Sequence, residues 1–422
     1  MTILVVRRFV VHDLVSVHWT LHSAVGIACG WMVLRRGAFV VGACIAAVVV
    51  AVPAWSASHD VVLGSYDGAV RIVEEPIETG ALRVVIDVDG RRYVSYLYGT
   101  SAGRLSRCRF GDVVMVSGER RELTDVQRAR LVPRHVVGSF VVDAVESRCV
   151  SGSPLARSAN RVRDTLGRAT ASLRPDEAAL LAGLVIGDDR HQPREMTEAF
   201  RAAGLSHLTA VSGQNVAFVL AVCGPLLRRI HERARFAVLV AIVAWFVVVT
   251  RCEPSVVRAG IMAVVAAYGS SRGFLASGER ALALTVGAAL IVDPLLSASV
   301  GFQLSTAATA GLVWIAPRIT NRISGPRWLA ESLGVTVAAQ IAVAPVSYLT
   351  FGTFNVVGLV TNMLAVPVAG FVMLAGLPVM GACGLLVDLG APMADAVARV
   401  GMVPLRLAVR WVWWVAVVAS RL

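Results

Sequence analysis

The chain has 422 residues, of which 56% are hydrophobic and only 16% charged, against roughly 25% charged in soluble domains. Its mean hydropathy of +0.69 excludes an ordinary soluble globule as the body of the protein and assigns most of the chain to lipid. The formal charge of +12 is carried by arginine with no lysine at all, which excludes a P-loop of the usual GxxxxGK[ST] form.

Residues 1–57 read as an N-terminal transmembrane helical hairpin. Trp19 to Leu34 and Gly37 to Trp55 are cleanly apolar around Arg35 and Arg36, and no small-residue cleavage site closes a short apolar core in the manner of a removable signal peptide. If the Arg pair marks a cytoplasmic turn, the chain after residue 57 emerges on the opposite side of the membrane. Arg7 and Arg8 weigh weakly against that orientation.

Residues 58–153 are of a different composition. Strings such as LRVVIDVDG, RRYVSYLYG and GDVVMVSGER alternate apolar and polar residues between turn-forming positions, the signature of half-buried strands. Five or six short strands in this length suit a small closed barrel of the OB type, with an open sandwich as the alternative. The segment carries 13 Arg and 13 Asp plus Glu, with the acids early and the arginines late. Arg104, Arg107, Arg109, Arg120, Arg121, Arg128 and Arg130 are the candidates for a basic face that tracks a phosphate backbone. An ordinary solvated barrel surface is the competing reading.

Seven cysteines show neither CxxC nor zinc spacing, which argues against a metal site. Cys108 and Cys149 stand alone in the β segment, where an oxidising compartment would join them; two buried thiols are the other possibility. Residues 154–203 carry arginine and acids at helical spacing and read as amphipathic interfacial helices.

From 204 to 422 the chain reads as a transmembrane helix bundle. Apolar stretches near 205–227, 236–250, 255–271, 280–316, 331–350, 355–388 and 403–420, with the N-terminal pair, give about nine to eleven spans at roughly 20 residues each. Polar residues interrupt them. GLSHLTAVSGQNVAFVL carries His207, Ser212, Gln214 and Asn215; TRCEPSVVRAG places Arg258 inside a span; Asp293-Pro294 precedes Gln303; Gln340, Asn355 and Asn362 lie among Pro345, Pro367 and Pro378. Polar groups in hydrocarbon are costly and mark solute paths, and irregular backbone at membrane depth belongs beside a watery cavity. Helix–helix hydrogen bonds account for the same residues without a path. The nucleophile-elbow pattern GxSxG fails at Ala210, so no acyl-transfer site is read here.

These strings, in this order after a β segment, resemble the ComEC-type competence family. Gly204, Leu205, Ser206, His207, Leu208, Ala210, Val211, Ser212 and Gly213 fit its GLSHLLAVSG-type signature, although Asn215 stands where a second histidine is frequent. Arg258-Ala259 with Met262, Asp293-Pro294, Gly301-Phe302-Gln303-Leu304-Ser305 and Asn362 with Pro367 are similar to the later motifs. Many members continue into a metallo-β-lactamase-like domain; with no HxHxDH string before Leu422, this chain is expected to be a short member without nuclease activity.

The resemblance implies an α-helical polytopic membrane protein with an inserted small all-β, OB-like barrel domain outside the cytoplasm, in a bacterial cytoplasmic membrane. It implies a channel for single-stranded transforming DNA, no cofactor and no catalytic role. The implied partners are an extracytoplasmic DNA receptor, a cytoplasmic translocase or single-strand-binding protein, and the lipid bilayer. His207, Ser212, Gln214, Asn215, Arg258, Gln303 and Asn362 are the expected lining. A small-solute or lipid transporter with an accessory β domain is the alternative, and a membrane enzyme a further one.

Overall fold

The computed structural model describes residues 61–146, 148–209, 213–271, 278–352, 357–390 and 394–421. The hairpin expected over residues 1–57 lies outside them, as do Ser212 and Asn355.

Among the described residues five strands close into a barrel. They are β1 (Gly64–Thr79), β2 (Ala81–Val88), β3 (Arg91–Leu97), β4 (Val113–Glu122) and β5 (Val136–Val145), hydrogen-bonded in the order β1-β2-β3-β5-β4 with β4 returning to β1. The β3–β5 pair is parallel and the others antiparallel. This is the Greek-key barrel of the OB fold. β1 is long enough to pair with both neighbours because it bends at register shifts between Ile72 and Ile77, where bulges raise the local twist.

Alternation decides what the barrel encloses. Leu82, Val84, Ile86 and Val88 of β2 and Tyr93 and Leu97 of β3 point inward with Val70, Ile72, Val114, Val116 and Phe140. Helix α1 (Gly99–Leu105), between β3 and β4, adds Leu105 to that core. Cys108 is buried in the same core and is joined to Cys149 by a disulfide with Cα atoms 5.6 Å apart, closing the chain beyond β5 back onto the barrel. On the outer face, α2 (Asp125–Leu131) opens with a capping box between Thr124 and Gln127. It covers a smaller cluster of Val85, Val94, Leu123, Leu131 and Val136.

The helical part comprises α3 (Pro154–Ala169), α4 (Pro175–Ile186), α5 (Arg194–Ala202), the single turn α6 (Ser206–Thr209), α7 (Gly213–Leu227), α8 (Glu232–Val249), α9 (Pro254–Ser271), α10 (Gly278–Val292), α11 (Val300–Ala310), α12 (Ala316–Thr320), α13 (Arg327–Phe351), α14 (Val357–Asp388), α15 (Ala394–Gly401) and α16 (Val403–Ala419). A 3₁₀ segment, Pro294–Ala298, separates α10 from α11, and a π segment, Gly311–Ile315, separates α11 from α12.

The largest core lies where α3, α4 and α5 meet α14 and α16, around Leu180, Leu181, Leu184, Phe200, Val372, Met380, Leu405 and Val412. Helix α4 therefore differs from the interfacial helix its sequence suggested. Its residues are buried nearly all round, Leu180, Leu181 and Leu184 completely. Its one buried carboxylate, Glu177, is met by Arg406 at 3.1 Å and Arg410 at 3.5 Å, one turn apart on α16. Close approach of α14 rests on two glycines. A Cβ at Gly376 would lie 2.4 Å from Val185 of α4, and one at Gly384 only 2.1 Å from the Thr165 carbonyl of α3.

Two described helical segments, Ala330–Thr350 and Val357–Asp388, are long and apolar enough to cross a membrane, with shorter apolar helices at Gly213–Leu227, Ala234–Val249 and Ser255–Gly269. They expose large apolar side chains such as Leu349, Val360 and Leu364, which agrees with membrane association. Pro294 breaks the chain after α10 as its sequence context suggested, but α13 runs through Pro345 and α14 through Pro367 and Pro378 without interruption. Proline is tolerated within such apolar helices where neighbouring groups satisfy the freed carbonyls.

Candidate functional site between the barrel and the helices

The outer face of β2 and β3 is turned toward the helical part, and a cavity of about 600 Å³ separates them. From the barrel come Glu74, Glu75 and Ile77 of β1, Arg83 of β2 and Tyr96 of β3; from α2 and the turn after it come Val126, Gln127, Arg130, Leu131 and Arg134. From the helical part come Asp189, Thr209, Arg251, Glu253 and Ser255. Arg83 and Tyr96 are directly paired across β2 and β3, which puts both on the same face. Thr209 ends α6 and Ser255 is the second residue of α9, so the cavity reaches the segment holding the GLSH string and the start of the helix that carries Arg258.

A buried charge cluster forms the floor. Glu75, 2% exposed, accepts from Arg163 of α3 at 2.7 Å and is met by Arg190 at 2.8 Å and Arg251 at 2.9 Å. Asp188 meets the same three arginines at 2.9, 2.6 and 3.0 Å. Burial raises the cost of charging Asp188, but hydrogen bonds and charges from Arg190 and Arg163 outweigh it and hold its carboxyl down at about 2. One side chain of the barrel is thereby tied to α3, to the α4–α5 loop and to the α8–α9 loop. The last of these is strained: Arg251 and Cys252 have φ of 63° and 55°, a left-handed conformation costing roughly 1–2 kcal/mol per residue. Two ion pairs to Arg251 offset it.

Nearby carboxylates behave oppositely. Burial pushes the Glu253 carboxyl up, against the pull of Arg134. Burial, assisted by the neighbouring Asp188 charge, does the same to Asp189. Glu74 is paired with Arg83 at 2.9 Å and Arg134 at 3.3 Å, whereas Arg130 is exposed on the cavity wall.

The residues singled out from sequence are dispersed. Asn215 is 3% exposed, and its amide donates to the Leu184 carbonyl at 3.1 Å and to that of Val185 at 3.4 Å, tying α7 to the end of α4. The Gln303 amide donates to the Ser297 carbonyl at 2.9 Å and closes the 3₁₀ turn before α11. Asn362 is half-buried with its Oδ1 lacking a hydrogen-bond partner. His207, ring-bonded to the Gly204 backbone, and Gln214 both present exposed side chains. Ser212 and the side chain of Arg258 lie outside the described residues.

The barrel arginines do not share one face. Arg104 donates to the Val145 carbonyl and Arg109 pairs with Asp164 of α3. Arg120 sits 5.3 Å from the Tyr66 ring centroid with Asp89 at 3.6 Å. Arg121 pairs with Glu119 at 2.6 Å and Arg128 with Glu122 at 3.7 Å, and Arg107 is exposed. Of the seven, Arg130 lines the cavity. Sequence reasoning did not bring Glu75, Arg163, Asp188, Arg190 and Arg251 together, because they lie in separate stretches of the chain. It also missed Tyr96, which reads as one more strand position.

The family model described as "Competence protein" matches residues 184–422, more than half of the chain. The chain belongs to the ComEC-type competence protein family. The matched region begins at Leu184, whose carbonyl accepts from Asn215, and contains Asp188, Arg251, the GLSH string and every long apolar helix described above. Among curated proteins the competence chain is 28% identical to ComE operon protein 3 of Bacillus subtilis (strain 168) over 207 residues, 48% of this chain and 26% of that one. It is 25% identical to the Uncharacterized protein YcaI of Escherichia coli (strain K12) over 215 residues, 46% of this chain and 28% of that one. The alignments thus span little more than a quarter of each relative's length. No solved structure matches.

Proposed function

We propose that this competence protein passes single-stranded transforming DNA across the bacterial cytoplasmic membrane as a multi-pass channel. The barrel stands outside the cytoplasm, receives the strand from a DNA receptor and hands it to the helices; a cytoplasmic translocase or single-strand-binding protein draws it inward. Family membership supports DNA uptake as the process. The observation that carries the path is the cavity itself, which has the β2–β3 face as one wall and Thr209 and Ser255, both within the region matched by the family model, as the other. Oligonucleotides bind OB barrels on that strand face. The Cys108–Cys149 disulfide supports an oxidising location for the barrel. Along the helices, His207, Gln214, Arg258 and Asn362 remain the proposed lining, with Ser212; Asn215 and Gln303 shape it by fixing α7 and the 3₁₀ turn.

Entry of labelled DNA into cells lacking the gene tests this reading. Restoration by the wild-type gene but not by Ser255→Trp, at equal protein abundance, is expected. Undiminished single-strand entry in the cells lacking the gene would overturn the channel.

A further inference from the structure

The cavity wall is chemically divided. Ile77, Tyr96, Val126 and Leu131 form an apolar patch, in which Tyr96 is 44% and Val126 68% exposed. Arg130 and Arg134 rise beside it from α2 and the turn that follows. Exposed aromatic and aliphatic groups on a barrel surface are costly unless something covers them, and here they line the same cavity as Thr209 and Ser255. Nothing about Tyr96 serves the barrel core, whose aromatic from β3 is Tyr93. Arg83, across the strand pair, has its charge engaged by Glu74, so it holds the wall beside the ring without competing for an incoming anion.

An aromatic ring and a guanidinium that line one cavity, the guanidinium with no carboxylate held against it among the described residues, are matched by one kind of ligand: an unpaired nucleobase with its own phosphate. The ring offers a stacking surface that accepts any base, and the arginine's planar fork suits a phosphate diester. A space of about 600 Å³ has the size of a small-ligand site. We propose that Tyr96 is a base-stacking residue and Arg130 its phosphate partner, forming a sequence-tolerant subsite for one nucleotide of a single strand at the junction of barrel and helices. This rests on the DNA-uptake reading and adds to it the point at which the strand is held as separate bases.

The test uses the full-length protein in detergent or nanodiscs and a fluorescent oligo-dT strand, with an abasic strand of equal length as the second probe. Tyr96 is exposed, so its replacement leaves the barrel core intact. Tyr96→Ala is expected to weaken oligo-dT binding about 5- to 150-fold, Tyr96→Trp to retain it, and the abasic strand to bind wild type and Tyr96→Ala alike. Arg130→Ala weakens both probes and lowers the salt dependence of binding. Equal oligo-dT affinity for wild type and Tyr96→Ala overturns the subsite while leaving the uptake reading intact. An equal loss for the abasic strand overturns stacking as the basis. Failure of the wild-type protein to bind any strand overturns the subsite together with the receiving role of the barrel.

Discussion

Nε2 of His135, in the turn that leads into β5, lies 2.9 Å from Oδ2 of Asp293, the residue that follows α10. The same carboxylate caps the following 3₁₀ segment by accepting from the Leu295 backbone N–H at 3.1 Å. His135 itself takes a left-handed conformation, φ 62°, to present its ring. The Asp-Pro motif thus has a partner in the barrel as well as a local role in breaking the helix.

His135→Ala is expected to cost at most about 1 kcal/mol, because the pair is partly exposed and such pairs contribute little. Asp293→Ala removes the cap as well and is expected to cost about 1 kcal/mol more. Chemical unfolding of the two single variants and the double variant checks this. Equal losses from His135→Ala and Asp293→Ala would deny Asp293 its capping role.

The Glu75 centre is expected to be far less tolerant. Glu75→Ala removes one of the two buried carboxylates that Arg163, Arg190 and Arg251 share and leaves them with Asp188, and breaking a buried ion pair from one side costs about 3–5 kcal/mol. A Glu75→Ala protein with unchanged unfolding midpoint would show that the barrel is not tied through this residue.

The depressed pKa of Asp188 sets a pH window. A carboxyl whose folded value is about 2, below an ordinary value near 3.9, contributes stability that is fully present above about pH 4 and lost as pH falls through about 2. The amount is on the order of 2 kcal/mol. Asp188→Asn should therefore be less stable than wild type at pH 5, with the gap closing as pH approaches 2. Glu253 and Asp189, whose carboxyls are pushed up, act in the opposite sense. Their ionisation costs stability as pH rises, so Glu253→Gln is expected to be neutral or stabilising at pH 7. A gap between wild type and Asp188→Asn that stays constant from pH 5 to 2 would contradict the assignment.

Much of the barrel was legible because its strands alternate: Leu82, Val84, Ile86 and Val88 mark one face, and the structure turns that face inward. The cavity was not legible, since Arg83 and Tyr96 become neighbours only when β2 and β3 register, and Thr209 joins them only through tertiary packing. The charge cluster was hidden for the same reason. Arg163 lies on a helix whose composition looks solvated, yet 94% of its side-chain surface is lost, the remainder being 6%. Asn215 was recognisable as costly in an apolar setting but not as a tie to α4, because its acceptors lie some 30 residues away. Prolines misled where neighbouring helices support the backbone, as at Pro367 and Pro378.

Helix α14 is expected to be intolerant of side chains on its packed face. Gly384→Ala would drive a methyl to within 2.1 Å of the Thr165 carbonyl, and relief by backbone shifts costs about 1–3 kcal/mol or more. Gly381→Ala, where nothing lies within 4 Å of the added Cβ, serves as the control on the same helix. Equal stability of the two variants would refute the close α3–α14 approach.

The central claim, that an incoming strand passes from the β2–β3 face to the helices through the cavity, is tested most directly by photocrosslinking during uptake. Benzoylphenylalanine is placed in turn at Tyr96, Thr209 and Trp414, the last an exposed position on α16 outside the cavity lining. Cells importing labelled DNA are then irradiated. Adducts between protein and single-stranded DNA at Tyr96 and Thr209, and none at Trp414, are predicted. Normal DNA entry with no adduct at either cavity position, or with adducts at Trp414 alone, would contradict the path.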